Sequence, residues 1–125
     1  MLKKLFMVGI LGASALSLSA AWAHGDNEPN HGGVVQAAGG LSFELVAQGN
    51  AGTIYVEDHG RPRSTAGMTG KLTALNGREK TEAELKPAGD NKLTAQGVKL
   101  AKGASATASI TTAENKAITV RFTVK

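Results

Sequence analysis

Two short runs decide the fold class: LSFELVAQ, from Leu41 to Gln48, and TIYVED, from Thr53 to Asp58. In the first, Leu41, Phe43 and Leu45 alternate with Ser42, Glu44 and Val46. In the second, Ile54 and Val56 alternate with Thr53, Tyr55 and Glu57. A period of two places one set on a core and the other on the opposite face, as in a half-buried β-strand. The polar GNAG between them, Gly49 to Gly52, predicts a hairpin with a four-residue loop. In that register Gln48 opposes Thr53, Glu44 opposes Glu57 and Ser42 opposes His59. Two carboxylates face to face are unfavourable unless a cation lies near. Arg61 or Arg63 is the ordinary source of that charge, and a metal ion held with the help of His59 is the sharper one.

The rest of the chain continues the pattern. Val34 to Ala37, Lys71 to Leu75, Glu79 to Leu85, Lys92 to Gln96, Ala104 to Thr112 and Ala117 to Val124 read as further strands. Asn76-Gly77 is a strong hairpin signal, because a type I′ turn needs positive φ at both central positions. His59 to Gly70 reads as a loop. Seven or eight short strands without a helix predict an all-β domain, a small antiparallel β-sandwich of immunoglobulin-like size. A small barrel is the alternative.

The N-terminus carries an export signal. Lys3 and Lys4 precede an apolar run from Leu5 to Leu18, and Ala21-Trp22-Ala23 supplies small residues at the −3 and −1 positions of a cleavage site. The run is shorter than the roughly 20 residues that span a bilayer. The division expected is a signal peptide over 1–23, a flexible polar arm over 24–33 and the β-domain over 34–125. A periplasmic destination follows, with secretion beyond the cell as a second possibility and no membrane anchor after cleavage. Lys3 and Lys4 leave with the leader and halve the formal net charge of +4. The remaining Lys and Arg are scattered, which argues against a nucleic-acid partner. The chain has no cysteine, which excludes disulfides, thiolate metal sites and lipid attachment through cysteine.

The candidate chemistry lies in the three histidines. His24 opens the mature chain, where its α-amine and imidazole can chelate one ion. His31 follows in the same Gly-, Pro- and Asn-rich arm, with Asp26 and Glu28 as possible oxygen donors. A polar terminus that merely contains histidines is the plainer reading of this arm. His59 ends the second strand beside Glu57 and Asp58. Imidazole suits copper, zinc and nickel. The expected site is therefore a divalent transition ion, Cu or Zn, held by His24, His31, His59, Glu57 and Asp58. Imidazole binding weakens as pH falls through its ordinary pKa near 6.5. Met68 is a possible thioether donor, although a lone Met more often packs. Thiol, zinc-protease, phosphate-loop and serine-elbow motifs are all lacking, so the chain does not read as an enzyme.

HGG (His31 to Gly33), LSFELV (Leu41 to Val46) and IYVEDHGRP (Ile54 to Pro62), in that order and spacing, resemble a small β-domain of periplasmic adaptor subunits. Those adaptors serve heavy-metal efflux pumps of the resistance–nodulation–division type. The resemblance covers about residues 31–62. It implies a periplasmic metal-binding or metal-sensing module, with His31 first and then Asp58 and His59 as site residues. The long α-helical hairpin, lipoyl-like and membrane-proximal segments of an adaptor are missing, so the chain looks like a stand-alone version of that one domain. The function expected is a metal-binding chaperone, buffer or accessory factor in metal efflux or resistance, with an efflux component as partner. A metal-independent interaction module of the cell envelope is the alternative.

Overall fold

A computed structural model describes residues 28–125, and the expected signal peptide, its expected cleavage site and His24 lie outside them. Nine antiparallel strands follow in chain order: β1 (Val34–Ala38), β2 (Leu41–Gln48), β3 (Ala51–Asp58), β4 (Arg61–Pro62), β5 (Thr69–Asn76), β6 (Glu79–Pro87), β7 (Lys92–Gln96), β8 (Ser105–Thr111) and β9 (Ala117–Thr123). The described residues contain no helix. The all-β, antiparallel reading therefore holds.

The strands form one hydrogen-bonded path, β1-β2-β3-β7-β6-β5-β8-β9, with β4 as a stub on β3. β6 is the joint. Its residues Glu79 to Leu85 pair with β5, and Lys86 and Pro87 pair with β7. The two ends of the path come together. Lys116 Nζ donates to Gly39 O at 2.9 Å, and a shallow cleft at the other end of the seam is lined by Val34 and Val124. No ladder bonds join β1 to β9 among the described residues. A nearly closed, barrel-like sheet describes this course better than the two separate sheets of a sandwich.

The core follows the alternation. Leu41, Phe43 and Leu45 of β2, Ile54 and Val56 of β3, and Ile118, Val120 and Phe122 of β9 are all buried. On β8 the buried positions are Ala106, Ala108 and Ile110. Ala106 sits between Ala74 and Phe122, and Ala108 between Leu72 and Val120, so small side chains on β8 leave room for larger ones beside them. Met68 is 2% exposed in this core, which gives the thioether a packing role.

Two turns differ from what the sequence predicts, one by being tighter and one by a shift of one residue. Gln48 pairs with Ala51, so the β2–β3 loop is only Gly49-Asn50. Asn76 pairs with Glu79, so the β5–β6 turn is Gly77-Arg78 rather than Asn76-Gly77. In both, the glycine alone has positive φ, at the first central position, as in a type II′ turn. The β2–β3 register consequently slips by two residues: Glu44 opposes Tyr55, and Ser42 opposes Glu57. The expected carboxylate-on-carboxylate pair does not form. The region after His59 also contains β4, whose Pro62 occupies a sheet edge, where a missing N–H does no harm.

Candidate functional site

The site is built around Glu44, a carboxylate in the middle of a strand and only 5% exposed. A buried charge is costly unless its hydrogen bonds are made. Here they are supplied by the segment before β1. The backbone N–H groups of Asn30 and His31 donate to the two carboxylate oxygens at 3.1 and 2.8 Å, and that of Gly33 donates at 2.8 Å. His31 Nδ1 lies 2.9 Å from Glu44 Oε1. Burial raises the Glu44 pKa, but the His31 ring and the three backbone donors outweigh it, and the net shift is downward.

Glycine makes this wrap possible. Gly32 has φ +75, and the turn it creates lets amides on either side converge on one anion, a backbone nest. At Gly33 a Cβ would fall 2.3 Å from the carbonyl oxygen of Leu45, so any side chain there would push the segment off β2. Residues 30–33, expected as part of a mobile arm, are thus tied to the sheet at four points.

The same contacts set the His31 ring. An ionised carboxylate only accepts, so Nδ1 carries a hydrogen, and in the neutral ring Nε2 is then the nitrogen with the lone pair. The ring lies flat on Tyr55, with centroids 3.6 Å apart and planes within 3°. Its side chain is 40% exposed. The space enclosed between Asn30, Glu44, Tyr55 and Glu57 is about 10 Å³, room for about one water. Glu57 accepts from Asn30 Nδ2 at 2.8 Å.

His59 stands elsewhere. Asp58 pairs with Arg61, so His59-Gly60 is a two-residue turn, with φ of +53 and +78. That is the signature of a type I′ turn. His59 Nδ1 lies 2.6 Å from Asp58 Oδ1, and the imidazole is 90% exposed. The other Asp58 oxygen is 3.8 Å from Arg63, which is bound to Glu114 at 2.8 Å. Arg63 therefore serves Asp58 and Glu114 rather than the expected pair of Glu44 and Glu57. A left-handed conformation suits Asn or Gly better than His. His59→Asn is expected to raise stability by about 0.5–1 kcal/mol, read from thermal unfolding. An unchanged or lowered midpoint would show that His59 is unstrained.

The sequence-predicted ligands are thus not gathered at one point. His31 and Glu57 share the face of β2 and β3, Asp58 and His59 form the β3 tip, and His24 lies outside the described residues. No three His, Asp or Glu side chains among the described residues are placed to hold one ion. The sequence marks Glu44 only as the expected opposite of Glu57 and does not mark Tyr55, because the partner of both is a segment without periodicity more than ten residues upstream. No protein-family model, curated protein or solved structure matches the chain.

Proposed function

We propose that the chain is an exported, periplasmic protein that binds a transition metal ion of the copper or zinc type and acts as a buffer, chaperone or accessory factor in metal efflux. One observation carries this reading. Both histidines of the folded body have Nδ1 against a carboxylate, His31 on Glu44 and His59 on Asp58, and neither Nε2 has a hydrogen-bond partner among the described residues. Metal-ligating histidines characteristically hand their second ring nitrogen to a carboxylate, which fixes the tautomer and raises ligand basicity. His31 is the better prepared of the two, since Tyr55 and Glu44 hold its ring in one orientation. Asp58 then works as the group that orients His59. His24, with the α-amine that cleavage would expose, is the further donor within chain reach of His31. The resemblance to adaptor domains points the same way, through His31, Asp58 and His59.

Tyr55 gives a direct readout. It is the only tyrosine, and the only tryptophan, Trp22, belongs to the leader. Cu(II) bound at His31 is expected to quench Tyr55 emission saturably in the processed chain, with calorimetry giving the matching stoichiometry. His31→Gln, which can still donate to Glu44, is expected to abolish most of that quenching. Equal, saturable quenching in His31→Gln would remove His31 from the site. An absence of calorimetric binding of either Cu(II) or Zn(II) would overturn the metal reading.

A further inference from the structure

The two carboxylate–histidine pairs cannot serve one ion within one chain. His31 is stacked on Tyr55, four residues before His59. At about 3.3 Å per strand residue, Tyr55, on which one ring lies, and His59, which carries the other, are roughly 13 Å apart along the chain. Two nitrogens on one zinc ion stand no more than about 4 Å apart, because each bond is about 2.0–2.1 Å. Strand alternation also sends Tyr55 and Asp58 to opposite faces. Each ring is held where it is, His31 by Glu44 and Tyr55, His59 by Asp58.

We infer that the ion is bound between two copies of the chain, by His31 of one copy and His59 of the other. This rests on the metal-binding reading and specifies where the second ligand comes from. The two half-sites are complementary in shape. His59 projects from a turn tip with its imidazole 90% exposed, whereas His31 lies flat on the sheet at 40%. The tip carries exposed Arg61 beside Asp58, whose carboxylate faces His59 and Arg63, and the face around His31 carries Glu28 and Glu57, so Arg61 is the charge that complements that face. Each chain owns one projecting and one recessed ligand, so a two-fold arrangement makes two identical sites and closes on itself.

The test is sedimentation velocity with and without Zn(II) on the exported, processed chain, with zinc stoichiometry measured in parallel. Wild type is expected to be monomeric without zinc and dimeric with it, at one ion per chain. His31→Gln and His59→Ala are each expected to stay monomeric in zinc. An equimolar mixture of the two variants retains one intact pairing, and it is expected to regain the dimer at one zinc per two chains. A monomeric wild type that binds zinc, with His59→Ala binding equally well, would overturn the shared site and leave the metal function standing. A zinc dimer that survives both substitutions would overturn it as well. No zinc binding by wild type would overturn the shared zinc site, and the metal reading falls with it only if calorimetry shows no Cu(II) binding either.

Discussion

Glu44→Ala is expected to free residues 30–33 from the sheet and to lower the unfolding midpoint by about 10–20 °C. The substitution removes the acceptor for three backbone N–H groups and for His31 Nδ1. Hydrogen bonds to a charged group are worth about 1.5–3 kcal/mol each, but the freed amides regain water, so a net loss of about 2–3 kcal/mol is expected. For a domain of this size each kcal/mol moves the midpoint by about 4–8 °C. Glu44→Gln is expected to do almost as badly, because its NH₂ would face N–H donors that the second carboxylate oxygen now accepts. Full rescue by Gln would mean that shape, and not the four donors, matters at this position. Metal affinity should fall by about 10–100-fold with the loss of the group that orients His31.

The pH dependence follows from the same contacts. The folded Glu44 pKa lies below the ordinary 4.5, so between those two values the unfolded chain binds a proton that the folded chain does not. The Glu44 contribution is therefore complete above about pH 4.5 and is lost as pH falls through the lowered folded value. The stability gap between wild type and Glu44→Ala is expected to be constant near neutrality and to shrink in acid. A gap that persists undiminished to pH 3 would contradict the ion-based account.

How much of this could be read from the chain depended on the range of the interaction. Strand identity was legible, because Phe43, Leu45, Ile54 and Val56 announce their face locally, and β7 begins and ends where the residue types change. The β2–β3 register was not. A slip of two residues keeps Phe43, Leu45, Ile54 and Val56 on the same face, so alternation cannot separate the two registers. The backbone of the turn separates them, through the positive φ of Gly49. The joint at β6 was equally hidden, since nothing in Glu79 to Pro87 says that its last two residues pair with a different strand. His31 and His59 were visible as candidates by residue type. Their separation followed only from the correct register and from the stacking on Tyr55.

Phe43→Ala is expected to cost about 3–5 kcal/mol, the largest loss from any single substitution considered. Phe43 is fully buried and pairs across β2 and β3 with Val56. The core is thin: Phe122 is the only other buried aromatic among the described residues, and two of the three buried positions on β8 are alanines. Alanines cannot extend into a vacated volume, so little of the cavity would be refilled. Domains of this kind have total stabilities of about 5–15 kcal/mol, so the variant should stand close to unfolding. Phe43 and Glu44 are adjacent on β2 with side chains on opposite faces, which makes them separable by amide exchange. In Glu44→Ala the amides of Asn30, His31 and Gly33 should lose protection while those of β2 and β3 exchange more slowly than these three. In Phe43→Ala the Glu44 contacts remain, so the same three amides should lose protection only to the extent that the whole domain unfolds more often. A cost below about 1 kcal/mol for Phe43→Ala would mean that this side chain is not packed in the core.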